Sequence, residues 1–137
     1  LGEDDSRRAW TDLREAGPIA RRPGAIWRIS LAPSDGPKLV AALRARELPL
    51  AGWFYDWVGG LVWLALEPEA GPQAGPVRAE VERLGGHATL IRAGELVRGI
   101  DDVFHPQPAP LAALAARVKR AFDPDGILSP GRMTKGA

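Results

Sequence analysis

The sequence predicts an α+β fold with a four-stranded antiparallel sheet, two helices on one face of that sheet and a further helix at each end of the chain. Three observations favour it. Four short segments have the apolar pattern of strands, two segments between them carry apolar residues at helical spacing, and Gly59-Gly60 joins the second strand to the third. The order strand, helix, strand, strand, helix, strand is that of the split βαβ unit of ferredoxin-like sandwiches.

The amino-terminal part of the chain is expected to contain a helix, a loop and the first strand. Ser6 caps a helix over residues 6–16, and Gly17-Pro18 ends it. A loop follows over residues 19–24. Side chains then alternate over residues 25–31, which predicts a strand with one set of side chains under the helices and the other set facing away.

The middle of the chain is predicted to form a helix and a β-hairpin. Pro33 begins a helix that runs to about residue 47, with an apolar stripe of Leu39, Val40 and Leu43. Two aromatic-rich strands follow, over residues 51–57 and 61–66, around Gly59-Gly60, a pair that readily takes the positive φ of a primed turn. The second of these strands is apolar on both faces, so we expect it to lie in the centre of the sheet.

The last third of the chain completes the sheet and adds a terminal helix. After a Gly/Pro-rich loop, a helix carries Val77, Val81 and Leu84 at helical spacing, and Gly85-Gly86 lies past its end. Residues 87–92 are predicted to form the fourth strand. An irregular stretch then leads to a final helix over residues 111–122.

Composition excludes several classes of protein. The chain has 137 residues, which suits one domain, and its longest apolar run, residues 61–66, is too short to span a membrane. A formal net charge of +1 gives no electrostatic footprint for nucleic acid. Cysteine is absent, and neither His87 nor His105 has neighbours at the spacing of metal ligands. We therefore expect no metal site and no nucleic-acid partner.

One face of the predicted sheet is a candidate ligand-binding surface. If Trp27 and Ile29 pack under the helices, Arg28 projects from the opposite, open face. A face that combines Arg28 with aromatic side chains suits a planar ligand that carries negative charge. The alternatives are a structural salt bridge for Arg28 and a core or domain-contact role for the aromatic residues. In the second strand, alternation divides the residues into two sets, Trp53, Tyr55 and Trp57 on one face and Phe54 and Asp56 on the other.

The chain ends in a segment whose residues favour two rigid turns. Asp123-Pro124-Asp125-Gly126 has the residues that a type I turn prefers. Ser129 is held extended by the following proline, and Gly131 can bring backbone amides close to a ligand. A well-packed tail without a ligand is the alternative interpretation.

This tail is the most specific of five stretches that resemble FAD-linked oxidases and dehydrogenases of the vanillyl-alcohol oxidase type, most closely the E subunit of bacterial glycolate oxidases. The resemblance runs from about residue 7 to residue 133, in the order of that family. The other four stretches are Arg8-Ala9-Trp10, Ile26-Trp27-Arg28-Ile29, Tyr55-Asp56-Trp57-Val58-Gly59-Gly60-Leu61 and Val103-Phe104-His105-Pro106.

The resemblance implies that residues 1–137 form a single carboxy-terminal domain of a longer flavoprotein, without the amino-terminal domain that binds FAD. In that family the carboxy-terminal sheet covers the isoalloxazine ring and helps to shape the substrate side, and the terminal motif lies near the flavin. The implied FAD-binding residues of this chain are Arg28, Tyr55, Ser129, Gly131 and Arg132. Ser129 stands where relatives usually have Asn, so a hydroxyl replaces an amide.

The resemblance also implies an activity and partners. The reaction would be oxidation of a small 2-hydroxy acid, glycolate, by hydride transfer to FAD, with electrons passed to other glycolate oxidase subunits. The implied location is cytoplasmic, peripheral to the inner membrane through that complex. The sequence has no catalytic motif of its own, so we expect the chain alone to lack turnover.

Two other functions compete with this interpretation. A free-standing ferredoxin-like module could bind a small metabolite or a protein through its open sheet face, because this architecture carries many unrelated functions. An RNA-stacking platform is the third candidate, and the near-zero net charge disfavours it.

Overall fold

A computed structural model describes residues 2–94, 102–128 and 130–131. The sheet consists of β1 (Ile26–Ser30), β2 (Leu50–Asp56), β3 (Leu61–Leu66) and β4 (His87–Arg92). The helices are α1 (Glu3–Arg14), α2 (Gly17–Ala20), α3 (Gly36–Ala45), α4 (Ala74–Arg83) and α5 (Ala109–Phe122). Short 3-10 turns lie at Pro33–Asp35, Trp57–Gly59 and Pro68–Ala70.

The sheet has the strand order β2-β3-β1-β4, and every neighbouring pair is antiparallel. This arrangement confirms the predicted ferredoxin-like α+β fold. The strand predicted to be central, β3, lies between β2 and β1. Within the described ranges, no helix is long and apolar enough to cross a membrane.

The core lies between one face of the sheet and the helices α3 and α4. Trp27 and Ile29 of β1 are fully buried on this face. The predicted helical stripes also belong to this core, since Leu39, Val40 and Leu43 of α3 and Val77 and Val81 of α4 are buried. Alternation in β1 therefore assigned the buried face correctly.

A buried carboxylate joins the two helices that cover the sheet. Glu80 of α4 is 3% exposed and forms salt bridges with Arg46, just after α3, and with Arg83 of α4. The hydrogen bond from Arg83, with the charge of Arg46, lowers the pKa of Glu80 against the opposing effect of burial. The carboxylate is thus held in its charged form at the seam between α3 and α4.

The amino-terminal prediction is wrong in two details. The first helix begins at Glu3 instead of Ser6, and its cap position, Gly2, makes no side-chain hydrogen bond. The expected loop after Gly17-Pro18 contains the short helix α2. Two features explain α2: Ala16 takes a left-handed conformation that reverses the chain, and Ile19 is buried against the sheet. Pro18 suits the first turn of a helix, so it starts this helix as well as ending the previous one.

The hairpin turn also differs from the prediction. Asp56 pairs with Leu61, so the connection comprises the four residues 57–60. Positive φ begins at Trp57 and continues through Val58 and Gly59, whereas Gly60 has φ −77°. Contacts outside the hairpin explain this shape. The Gly60 carbonyl accepts a hydrogen bond from the Leu31 amide, and a side chain at Gly59 would lie 2.6 Å from the Pro33 carbonyl oxygen.

The outer edge of β4 is covered by the segment that precedes α5. The Leu90 amide donates to the Val103 carbonyl at 2.8 Å, and the Ala88 amide donates to Nδ1 of His105 at 3.3 Å. Arg78 of α4 donates to the backbone carbonyls of Asp102 and Phe104. These contacts satisfy backbone groups that an open sheet edge would leave unpaired.

Candidate ligand-binding face

Four side chains form one row across the open face of the sheet. Phe54 of β2 pairs in register with Trp63 of β3, Trp63 with Arg28 of β1, and Arg28 with Thr89 of β4. The Phe54 and Trp63 rings are stacked, with centroids 6.2 Å apart and planes inclined by 11°. This row, called the Arg28 row below, therefore sets a stacked aromatic pair beside a guanidinium group.

Arg28 lies on this face without a counter-charge. Its side chain is half-buried, and among the described residues it makes neither a salt bridge nor a hydrogen bond. The guanidinium has five N–H donors that a ligand could use. The structure thus does not supply the structural salt bridge considered for Arg28 within its described part, and a ligand that accepts hydrogen bonds suits the position.

The helix α2 covers the neighbouring part of the same face. Ile19 is 1% exposed and packs with Ile26 and Ala65, one register row away from Arg28. Phe54 and Trp63 pack against the edge of this small cluster. The cover therefore bounds the Arg28 row on one side and fixes the two aromatic rings there.

The other side of the Arg28 row is mixed in polarity, because Leu61 of β3 lies there between polar residues. Ser30 of β1 pairs in register with His87 of β4, and Asp56 ends β2 at the same end of the sheet. The Asp56 carboxylate accepts a hydrogen bond from the Trp57 amide at 2.7 Å, so it stabilises the hairpin turn. A ligand on the Arg28 row would thus meet an apolar boundary on one side and, on the other, polar residues around Leu61.

Tyr55 does not share a face with Arg28. It pairs with the buried Val62, on the helix-covered face of the sheet, and a side chain at Gly36 of α3 would lie 3.3 Å from its ring. Trp53 lies on the same side, with the guanidinium of Arg44 5.8 Å from its ring centroid. The predicted division of the β2 side chains into two sets is correct for Trp53, Phe54 and Tyr55, and it separates Tyr55 from Arg28.

The predicted turn at the end of α5 is present. The Gly126 amide donates to the Asp123 carbonyl, and the Asp123 carboxylate accepts hydrogen bonds from the amides of Ile127 and Leu128. Lys119 donates to the same carboxylate at 2.6 Å, and this hydrogen bond lowers the pKa of Asp123. The turn is thus fixed by a charged side chain and not only by proline.

The remaining tail candidates are only partly described. Gly131 has φ +69°, the left-handed conformation expected of it, and no atom of the described residues lies within 4 Å of where a side chain would stand. Ser129 and Arg132 lie outside the described residues. The structure therefore brings Arg28 together with Phe54 and Trp63, and it does not join Tyr55 or Gly131 to them.

The two histidines have different environments. His105 accepts the Ala88 amide through Nδ1, and its Nε2 lies 3.5 Å from Glu82. Burial lowers the pKa of His105, although Glu82 acts in the opposite direction. His87 is exposed. Across the described ranges, no group of three or more His, Cys, Asp or Glu side chains is placed to hold a metal ion.

The sequence pattern does not show that Trp63 lies on this face. Because β3 is apolar on both sides, its own pattern does not show which side chains are open. The signal that identifies Trp63 is its pairing with Phe54, and that pairing requires the length of the hairpin turn to be known.

With its open sheet face, the chain belongs structurally to the ferredoxin-like α+β sandwiches. Comparison with curated proteins finds the chain similar to an oxidase subunit: it is 36% identical over 133 residues to "Glycolate oxidase subunit GlcE" of Escherichia coli (strain K12). The match covers 96% of this chain and 33% of that protein, so the chain spans about a third of the length of this relative. The predicted resemblance to this subunit is confirmed. No family model matches, and no solved structure matches significantly.

Proposed function

We propose that this chain is the carboxy-terminal part of the FAD-binding subunit of a glycolate oxidase, where it covers the flavin and assists oxidation of a 2-hydroxy acid. The Arg28 row carries the proposal. It sets a guanidinium that has no partner among the described residues beside two stacked rings, on a face that the helices α3 and α4 leave open. The similarity to a glycolate oxidase subunit over 96% of the chain supports this choice of ligand.

The residues of the face fit the chemistry of an isoalloxazine ring. The ring is planar and apolar at its benzenoid end, so it can lie against Phe54 and Trp63. Its pyrimidine end carries carbonyl oxygens, and negative charge develops there on reduction, so it suits the guanidinium of Arg28. When bound, FAD would accept the hydride. The share of this chain would be to hold the ring and to exclude water from it.

The proposal includes the tail and omits Tyr55. Ser129, Gly131 and Arg132 are proposed to approach the flavin by analogy with the terminal motif of the family. Tyr55 is on the opposite face of the sheet from Arg28, beside α3. A flavin that contacts Arg28 across the open face would therefore not meet Tyr55.

The proposed partners follow from the size of the relative. This chain matches a third of a glycolate oxidase subunit. We propose that the part corresponding to the other two thirds is an amino-terminal FAD-binding domain and that this domain is its first partner. Other subunits of the complex are the further proposed partners. The Arg28 row contains no carboxylate and no histidine, and its one hydroxyl, on Thr89, has no general base beside it in the row. We therefore propose that the chain alone has no turnover. We also propose that the longer protein is cytoplasmic and works in a complex at the inner membrane.

The test uses the longer polypeptide encoded by the gene that carries this sequence. Arg28→Ala and Arg28→Lys are compared with Arg14→Ala, which removes an exposed guanidinium from α1. We expect Arg28→Ala to lower flavin content or turnover roughly tenfold or more and Arg28→Lys to restore part of the loss, because a charge-assisted hydrogen bond is removed in one variant and kept in the other. Flavin content and turnover unchanged by Arg28→Ala would end this role and favour a module that binds another metabolite.

A further inference from the structure

The helix α5 carries an apolar surface that nothing in the described part of the chain covers. None of its 14 residues is buried. Leu111, Leu114 and Val118 are each about half exposed, and Phe122 is 82% exposed. These residues recur at intervals of three or four, so they form one stripe along the helix. This surface, together with Ile127 and Leu128 just after the helix, is called the α5 surface below.

A stripe of this kind on an isolated helix does not stabilise the chain that carries it. Amphipathic helices of globular proteins owe most of their stability to burial of the apolar face. Here α3 buries such a stripe through Leu39 and Leu43, whereas α5 buries none. The α5 surface is therefore left uncovered by the described residues and is available to a partner.

We infer that the α5 surface is where the rest of the longer polypeptide packs onto this chain. This inference rests on the proposed function, since it takes the chain to be one third of a flavin-binding subunit. A tethered domain has an effective concentration in the millimolar range, so it would occupy the surface in preference to a second copy of equal contact energy. The inference assigns the contact to a particular helix and turn, which the similarity itself does not do.

The shape of the surface favours a protein over a lipid bilayer. The turn after α5 is held by Asp123, whose carboxylate accepts the amides of Ile127 and Leu128, so these two apolar side chains follow the helix in a fixed conformation. Apolar side chains in fixed positions can fit a complementary protein surface, whereas a fluid lipid bilayer does not require such a fixed shape. The helix has three basic residues, Arg117, Lys119 and Arg120, of which Lys119 is paired with Asp123. Anionic vesicles are therefore included in the test as the competing partner.

The test measures hydrogen exchange of the α5 amides in the longer polypeptide and in the isolated chain. Leu114→Asp places a charge on the stripe, and Ala113→Asp places the same charge on the opposite side of the helix as the matched control. We expect α5 to exchange at least about tenfold more slowly in the longer polypeptide, with the protection lost in Leu114→Asp and kept in Ala113→Asp. Flavin content of each sample is recorded separately.

Three results would overturn the inference. The first is equal hydrogen exchange of α5 in the longer polypeptide and in the isolated chain. The second is protection of α5 that appears only in a dimer of the isolated chain and disappears in Leu114→Asp. The third is protection that appears only when vesicles of phosphatidylglycerol are added. Flavin content separates this inference from the proposed function. A longer polypeptide with protected α5 and no flavin contradicts the flavin role alone, and one with flavin and unprotected α5 contradicts the docking surface alone.

Discussion

Arg28 of β1 lies directly opposite Trp63 of β3 in the antiparallel sheet, and the Trp63 ring is stacked on Phe54. The three residues come from three strands, and the sheet register alone brings them together. The described residues provide no counter-charge for Arg28, which leaves its guanidinium available to a ligand on the open face.

The first prediction concerns stability at Arg28. Arg28 has no partner among the described residues, so Arg28→Gln should change the free energy of unfolding by no more than about 0.5 kcal/mol. Urea denaturation of the isolated chain at neutral pH measures it. A loss of 2 kcal/mol or more would mean that Arg28 has a structural partner.

The second prediction concerns the stacked rings. A double-mutant cycle with Phe54→Leu and Trp63→Leu should give a coupling energy of about 0.5–1.5 kcal/mol, because stacked aromatic pairs gain this much beyond the area they bury. Denaturant unfolding of the four proteins measures the coupling. Additive effects would show that the two rings do not interact in solution.

The third prediction concerns Glu80. Glu80→Gln should lower the free energy of unfolding by roughly 1–2 kcal/mol at pH 7, because it weakens charge-assisted hydrogen bonds with Arg46 and Arg83. Glu69→Gln, at an exposed position, is the control.

The pH dependence of this effect has a definite sign. The pKa of Glu80 is lowered in the folded state from a usual value of 4.5, so its contribution is present above that pH and is lost as the pH falls through the folded pKa. Denaturant unfolding at several pH values should show the wild type and Glu80→Gln converging below about pH 4.5. A gap that stays constant with pH would contradict the role of the charge.

The fourth prediction concerns His105 at the edge of β4. Burial lowers its pKa from 6.5, with Arg78 and His87 acting in the same direction and Glu82 against them. The contribution of neutral His105 to the free energy of unfolding is therefore complete above about pH 6.5 and decreases as the pH falls below that value. His105→Asn, which does not titrate, should remove this decline between pH 7 and pH 5. His87→Asn, which removes only the smallest of the named influences on His105, should keep most of it. Thermal unfolding across this pH range decides between the two outcomes.

The fifth prediction concerns the hairpin turn. Val58 has φ +56° and is 93% exposed, so a β-branched residue holds a left-handed conformation while its side chain contacts little. Val58→Asn should raise the free energy of unfolding by about 0.5–1 kcal/mol, because Asn tolerates this conformation better. Val58→Ile keeps the strain and should not raise it. An Asn variant less stable than the wild type would contradict the assigned turn.

Sequence patterns were sufficient wherever local preference and packing agree. The bounds of β3 and β4 were predicted correctly, and the apolar stripe of α3 is buried as expected. Alternation in β1 also placed Arg28 on the face opposite Trp27, which is the basis of the candidate site.

Sequence patterns failed where distant contacts override local preference. Gly59-Gly60 was the obvious place for positive φ, yet Trp57 and Val58 adopt it because contacts with Leu31 and Pro33 fix the turn. The pairing of Trp63 with Phe54 follows from that turn, so the aromatic half of the Arg28 row could not be predicted from the chain alone. The short helix α2 was missed for a similar reason, since Ile19 is ordered by its packing on the sheet.

The central claim is that this chain covers a flavin bound mainly by the rest of a longer polypeptide. The most direct measurement is an absorbance spectrum of that polypeptide beside the isolated chain, both purified without added cofactor, followed by titration of each with FAD. We predict a flavin band in the longer protein and none in the isolated chain. Absence of flavin from both, even after titration, would contradict the claim and favour a free-standing module that binds another ligand.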